Sequence, residues 1–186
     1  MEGPPPEQNY LDQHTVLAHL QLAPGQWVGD FGVGSAAHFA IAAAEKVGGA
    51  GGVVMFDVVK AALSGAMTSA QARGLANCRG VWTNLEIYGG ATGVKDGSLD
   101  AGILMNILHQ STKPKDILAE VQRMLKVGAK IVIVDWQPDA EVSIAPAKTK
   151  RLAPEYVTTL AKSIGFAPVE QFSAGPYHWG LVVAKT

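Results

Sequence analysis

Short apolar runs recur along the chain and predict buried β-strands. The run at 52–57 shows the pattern, because four apolar residues are followed by an acid, as in a parallel strand covered on both faces. Runs of this kind predict strands at 28–31, 52–57, 80–84, from Ala101 onward, 130–136, 167–172 and 178–185.

Between these runs, apolar residues recur at helical spacing, and helices are predicted at 8–20, 36–47, 59–75, 115–126 and 154–164. Strands that alternate with helices predict an α/β fold with a mostly parallel sheet. The last two strands are separated only by a turn at Gly175-Pro176, so they must pair antiparallel. A dinucleotide-binding domain would instead end with a parallel strand.

Composition indicates one globular domain covering residues 1–186, since 48% of the residues are hydrophobic and 17% are charged. The net charge of −1 disfavours a protein whose main task is to bind nucleic acid. The single cysteine, Cys78, excludes an internal disulfide and is expected to be a small buried apolar residue.

The first six residues lack the basic and apolar regions of a targeting signal, and no apolar run is long enough to span a bilayer. We therefore expect a cytoplasmic protein. The proline-rich residues 1–8 are expected to be extended or mobile.

The segment 28–36 predicts a strand, a glycine turn and the start of a helix. Gly32 and Gly34 stand where the chain needs positive φ and where a ligand can approach bare backbone. The following helix presents unpaired N–H groups and the positive end of its dipole. Several nucleotide-binding families share this arrangement, so the turn by itself does not select one ligand.

Asp30, two residues before the first glycine, narrows the choice of ligand. A carboxylate at this position would repel a pyrophosphate and attract a cationic amino-acid group. The alternative is that Asp30 only caps the following turn.

Asp57 ends the second predicted strand. In a βαβ unit, an acid at this position can accept hydrogen bonds from both ribose hydroxyls of a bound nucleoside. The alternative is a solvated acid at the end of a strand.

The pattern Asp-x-Gly-x-Gly at 30–34 resembles motif I of the class I S-adenosylmethionine-dependent methyltransferases. Three further segments are similar to this family: the lead-in at 22–25, the Leu99-Asp100 pair before the fourth strand, and the turn at 124–128. The resemblance extends from Leu22 to the C-terminus. It is strongest to small stand-alone enzymes of the type 11 and quinone-biosynthesis kind, and the arsenite methyltransferases are disfavoured by the lack of several cysteines.

The resemblance implies a three-layer Rossmann-like fold with a seven-stranded, mostly parallel sheet and an antiparallel C-terminal hairpin. It also implies S-adenosylmethionine as cofactor, S-adenosylhomocysteine as product and no metal. Asp30 would bind the methionine amino group, Asp57 the ribose, and Asn84 with Leu85 the adenine, with Glu86 as the alternative polar contact. The full set of implied cofactor-binding residues is Asp30, Phe31, Gly32, Gly34, Asp57, Val58, Asn84, Leu85 and Asn106.

His109 follows the fourth strand and is the candidate general base, needed only if the methyl acceptor carries a proton. It could equally be a packing or capping residue, and Asp135 is a weaker candidate. The segment 137–152 often covers the substrate in this fold and is short here, which favours a small-molecule acceptor or a site completed by a second subunit in a homodimer. Its basic residues, Lys148, Lys150 and Arg151, form either a solvated face or an anion site.

Two other functions remain open at this point. A methyltransferase-like module without activity would bind partners or cofactor without turnover. An NAD(P)-dependent oxidoreductase is disfavoured by Asp30, by Ala37 in place of a third glycine and by the terminal hairpin. A nucleic-acid methyltransferase is disfavoured by the near-neutral charge and by the absence of an Asn/Asp-Pro-Pro-Tyr/Phe motif after the fourth strand.

Overall fold

The computed structural model describes residues 11–186. Its strands are β1 (Trp27–Phe31), β2 (Gly52–Asp57), β3 (Cys78–Trp82), β4 (Leu99–Met105), β5 (Leu125–Trp136), β6 (Phe166–Ser173) and β7 (His178–Lys185). Its helices are α1 (Gln13–Ala18), α2 (His38–Val47), α3 (Lys60–Ala72), α4 (Pro114–Met124) and α5 (Pro154–Lys162). The mobile segment predicted for residues 1–8 and the start of the first predicted helix lie outside the described residues.

Within this range the strands form one seven-stranded sheet in the order β3-β2-β1-β4-β5-β7-β6. Strands β1 to β5 run parallel to one another, whereas β7 pairs antiparallel with both β5 and β6. The predicted α/β fold with an antiparallel C-terminal hairpin is therefore confirmed. None of the helices in the described residues is both long enough and apolar enough to cross a membrane.

Alternate residues of the central strands pack into two separate apolar layers. On β5, Ile131 and Ile133 join the cluster under α4 and α5, while Val132 and Val134 join the cluster under α1, α2 and α3. A strand that is buried on both faces requires apolar residues at successive positions, which explains the continuous apolar runs in the sequence. The sheet is thus the middle layer of three.

The sheet changes winding direction between β1 and β4, which lie side by side although two strands and two helices separate them in the chain. At such a switch point the helices leave toward opposite faces, and a cleft opens beyond the carboxyl ends of the two strands. The motifs identified in the sequence lie at this edge of the sheet.

Several predicted strand boundaries differ from the structure, most of them by one or two residues. The third strand ends at Trp82, two residues earlier than predicted, and the fifth begins at Leu125, directly after α4. The fourth begins at Leu99, which pairs with Leu125 before a register shift, so Asp100 lies inside the strand. These boundaries depend on pairing between distant segments, which local apolar patterns do not record.

The segment between β5 and α5 is held together by Arg151. Its guanidinium donates hydrogen bonds to the carbonyl oxygens of Pro146 (2.8 Å), Ala140 (2.7 Å) and Pro138 (3.3 Å). Lys148 forms an ion pair with Glu141. Arg151 therefore fastens this segment through Nε and Nη1, which donate to carbonyl oxygens of the same segment.

A buried ion pair on α4 holds the loop that follows β3. The Glu120 side chain is fully buried and accepts two hydrogen bonds from Arg123, both of 2.8 Å, and two from the backbone N–H groups of Gly89 (2.7 Å) and Ala91 (3.0 Å). Burial raises the pKa of Glu120, but these hydrogen bonds outweigh it and hold the pKa below its usual value. Arg123 also bonds the exposed Asp96 at 2.5 Å.

Replacing Arg123 with leucine should lower the free energy of unfolding by about 3–5 kcal/mol, because it leaves the buried Glu120 carboxylate without its cation. Urea denaturation measures the change. The control is Asp96→Asn, which removes the exposed partner of Arg123 and should cost about 0–1 kcal/mol. Equal effects of the two substitutions would contradict this account.

Candidate active site

A cavity of about 570 Å³ opens at the carboxyl ends of β1, β2, β3 and β4. Eight of the predicted cofactor-binding residues line it: Asp30, Gly32, Gly34, Asp57, Val58, Asn84, Leu85 and Asn106. The side chain of Phe31 does not, since it stacks on Phe56 in the core with ring centroids 4.8 Å apart. His109 is also outside the cavity lining.

The turn after β1 is bonded to the end of β2. The backbone N–H groups of Gly32 and Val33 donate to the carbonyl oxygen of Phe56 at 2.8 and 3.0 Å, and the N–H of Gly34 donates to the Asp57 carboxylate at 3.1 Å. Both glycines have positive φ, +86° and +62°. The turn therefore provides close approach to its backbone, while these N–H groups are used within the protein.

Asp30 is an almost completely buried acid, with 2% of its surface exposed. Burial, together with the nearby negative charge of Asp57, raises the pKa of Asp30 to about 7. The backbone N–H of Ala40 lowers the pKa but does not outweigh burial. A cation next to Asp30 would favour its charged form. The cavity thus contains an acid that lacks a cationic partner among the described residues.

Asp57 has a structural task as well as a place in the cavity. Its two carboxylate oxygens accept hydrogen bonds from the N–H groups of Gly34 (3.1 Å) and Val59 (2.8 Å). Each oxygen of an ionised carboxylate has two lone pairs, so both can accept a further hydrogen bond. Asp57 can therefore hold the turn and bind a pair of hydroxyl groups at the same time.

Two side-chain oxygens of the cavity wall are buried without a hydrogen-bond partner among the described residues: Thr83 Oγ1 and Asn106 Oδ1. An unsatisfied buried polar group costs about 1–3 kcal/mol. Asn106 also has φ of +55°, a conformation that costs a further 1–3 kcal/mol or so and that is typical of functional sites. Each oxygen is shielded from solvent, and a donor that a ligand brought against it would remove this cost.

Thr83 was missed by sequence reasoning. It follows Trp82, the last residue of β3, and its N–H continues the sheet by bonding the carbonyl of Asp57 at 3.1 Å. A threonine in an apolar run gives no signal of function by itself. Only the true end of β3, two residues before the predicted one, would have indicated that Thr83 faces the cavity.

The residues predicted to contact adenine lie in the loop after β3. Leu85 is buried in the cavity wall. The amide oxygen of Asn84 accepts the backbone N–H of Glu86 at 2.9 Å, which leaves its amide NH₂ group for other contacts. Glu86 accepts a hydrogen bond from the Ser111 hydroxyl at 2.5 Å, so it bridges the loops that follow β3 and β4.

His109 lies on the β5 side of the cavity and is bonded to Asp135. Its Nδ1 is 2.7 Å from Asp135 Oδ1, and its backbone N–H donates to Oδ2 at 3.1 Å. The dyad stands one strand away from Asn106, since β4 and β5 are neighbours in the sheet. His109 is thus near the cavity without forming part of its wall.

A model of the methyltransferase domain family matches residues 27–174. The chain therefore belongs to this family, and the predicted resemblance to class I S-adenosylmethionine-dependent methyltransferases is confirmed. The family implies S-adenosylmethionine as the cofactor. A search of curated proteins found no match to this chain.

Solved structures share the fold. A SAM dependent methyltransferase from Aquifex aeolicus has a TM-score of 0.86 at 21% identity, with 98% of this chain and 94% of that chain covered. An S-adenosylmethionine dependent methyltransferase from Mesorhizobium loti has a TM-score of 0.70 at 16% identity, with 92% and 96% covered. The [4+2]-cyclase SpnF has a TM-score of 0.78 at 16% identity, with 93% and 80% covered.

Substitution by alanine should destabilise the protein by different amounts at the two glycines of the turn, Gly32 and Gly34. Gly34→Ala should cost about 1–2 kcal/mol of stability, because only the positive φ opposes the new methyl group and no atom lies within 4 Å of it. Gly32→Ala should cost about 1–3 kcal/mol more, because its Cβ would lie 2.2 Å from Cδ1 of Ile107. Denaturant unfolding measures both, and Ile107→Ala should reduce the extra loss in a double variant.

Proposed function

We propose that this protein transfers the methyl group of S-adenosylmethionine to a small-molecule acceptor. The observation that carries the proposal is the set of oxygen acceptors around one cavity: Asp30, Asp57, Thr83 and Asn106. Family membership supports S-adenosylmethionine as the cofactor, whereas the assignment of a small-molecule methyl acceptor rests on the cavity alone.

The cavity suits the cofactor in charge and in hydrogen bonding. S-adenosylmethionine carries N–H and O–H donors on its amino group, ribose and adenine, and the cavity wall offers oxygen acceptors for them. Asp30 would bind the amino group, Asp57 the ribose hydroxyls, and Asn106 with Thr83 would receive the remaining donors. Leu85 and Val58 supply apolar surface beside the adenine position.

Bound S-adenosylmethionine supplies a methyl group attached to a positively charged sulfur. When the methyl group is transferred, the sulfur becomes the neutral thioether of S-adenosylhomocysteine. Because the methyl group is already activated, the protein has to position rather than activate it. The carboxylates of Asp30 and Asp57 would orient the amino-acid end and the ribose of the ligand, and the glycine turn allows close backbone approach. A base is required only when the acceptor carries a proton.

Calorimetric titration tests the cofactor assignment. S-adenosylhomocysteine should bind the wild-type protein, and NADH should not. Asp57→Ala should weaken the binding by at least about tenfold, because it removes the acceptors for the ribose hydroxyls. The matched control is Asp116→Ala, which removes an exposed acid in the first turn of α4 that does not line the cavity. Binding of NADH alone, or of neither ligand, would overturn the proposal.

The affinity for S-adenosylhomocysteine should rise by up to about tenfold between pH 6 and pH 8. The pKa of Asp30 is about 7, so its carboxylate is mostly protonated at the lower pH and mostly charged at the higher one. Only the charged form attracts the amino group of the ligand. In Asp30→Asn the affinity should be lower and this rise absent; an unchanged pH dependence in the variant would assign the titration to another group.

The volume of about 570 Å³ lies in the range of small-molecule sites, which supports a small acceptor beside the cofactor. The fold does not itself require methyl transfer, since the structural neighbour SpnF is a [4+2]-cyclase. Release of S-adenosylhomocysteine from S-adenosylmethionine in the presence of acceptor libraries separates turnover from binding alone. The predicted homodimer and cytoplasmic location remain predictions, the former testable by light scattering.

A further inference from the structure

A second polar cluster lies at the end of β5, outside the cavity lining. Its centre is Asp135, which is fully buried and accepts three hydrogen bonds. The backbone N–H groups of His109 and Trp136 donate to it at 3.1 and 2.8 Å, and the third partner is His109 Nδ1 at 2.7 Å. All of these bonds use the carboxylate as the acceptor.

This geometry selects one tautomer of His109. An ionised carboxylate can only accept hydrogen bonds, so the ring nitrogen that bonds it must carry the proton. In a neutral imidazole with a proton on Nδ1, the other nitrogen, Nε2, has a free lone pair. No described residue is hydrogen-bonded to Nε2, and the His109 side chain retains 10% of its surface exposed.

A second histidine near Asp135, His178, does not compete with His109 for its carboxylate. It is the first residue of β7, is 1% exposed, and neither of its ring nitrogens has a hydrogen-bond partner among the described residues. Its ring lies against that of Trp136, with centroids 4.2 Å apart. Burial lowers the pKa of His178 to about 4, and the nearby Asp135 only partly offsets this, so His178 is neutral at neutral pH.

We infer that Asp135 is a positioning residue, which holds His109 with its proton on Nδ1 so that Nε2 takes up the proton of the methyl acceptor. The inference rests on the proposed function and deepens it. It defines the acceptor as a group with a dissociable proton, an O–H, an N–H or an acidic C–H.

The proton balance requires one such base for each transfer to a protonated acceptor. The bond between acceptor and methyl carbon forms, the carbon–sulfur bond breaks, and its electron pair stays on sulfur. The acceptor proton passes to Nε2, which gives a doubly protonated imidazolium bonded to Asp135. A buried carboxylate stabilises that cation, as in hydrolases in which an aspartate orients a histidine base.

The location agrees with this role. The cofactor cavity spans the ends of β3, β2, β1 and β4, and β5 is the next strand in the sheet. Neighbouring strands are about 4.8 Å apart, so the dyad lies one strand beyond Asn106, on the side away from Asp57. A methyl acceptor placed between the cavity and the end of β5 would lie beside both the bound cofactor and His109.

Nitrogen-15 NMR of histidine-labelled protein tests the inference without an acceptor. The chain has five histidines, and the signals of His109 are those lost in His109→Gln. In the pH range where its ring is neutral, Nδ1 of His109 should carry the proton and Nε2 should show the shift of an unprotonated nitrogen. A neutral His109 ring with its proton on Nε2 would overturn the inference.

Two variants connect the tautomer to Asp135. Asp135→Asn should reduce the Nδ1-protonated form of His109, because an amide offers one acceptor oxygen where the carboxylate has two. His178→Phe removes the neighbouring imidazole without touching the dyad and should leave the tautomer unchanged. Retention of the wild-type tautomer in Asp135→Asn would contradict a positioning role, and the wild-type spectrum decides the matter if that variant does not fold.

The binding experiment keeps this inference separate from the proposed function. His109 and Asp135 do not line the cofactor cavity, so S-adenosylhomocysteine should bind Asp135→Asn with wild-type affinity. Failure of the ligand to bind the wild-type protein would overturn the proposed function. A wrong tautomer with normal binding would overturn the role of Asp135 alone.

Discussion

Hydrogen bonds between the turn after β1 and the end of β2 are the constraint on which the site depends. They join Gly32, Val33 and Gly34 to Phe56 and Asp57. Because the turn is tied to the neighbouring strand, it cannot move independently, and the carboxylates of Asp30 and Asp57 face the same cavity. Both glycines of this turn have positive φ, and Ile107 lies against Gly32.

The buried acids of the protein differ in how far their hydrogen-bonding needs are met. Glu120 accepts four hydrogen bonds, two of them from the cation of Arg123, and its pKa is lowered. Asp30 has no cationic partner among the described residues, and burial raises its pKa to about 7. Glu120, whose partners include a cation, stabilises a loop, whereas the burial of Asp30 without a cation supports its proposed role in binding a positively charged ligand. The buried oxygens of Thr83 and Asn106 resemble Asp30 in this respect, because they too lack a partner that would satisfy them among the described residues.

The proposed active centre has two sides, which lie next to each other along the carboxyl edge of the sheet. The ends of β1 to β4 form the cofactor side, rich in oxygen acceptors, and the end of β5 forms the side with His109 and Asp135. The segment that follows β5 is fastened by Arg151 through backbone carbonyls, and His109 is held by two hydrogen bonds to Asp135. Such preorganisation is what a reaction that depends on positioning requires.

The sequence by itself determined the alternation of strands and helices, the glycine turn and the acids at strand ends, since each depends on residues close together in the chain. Tertiary structure decided what depends on distant pairing. The end of β3 exposes Thr83 to the cavity, the strain at Asn106 arises where β4 ends, and His109 meets Asp135 from a different strand. These positions depend on which strands lie side by side and on where each strand ends, and patterns of neighbouring residues do not record the pairing of distant segments.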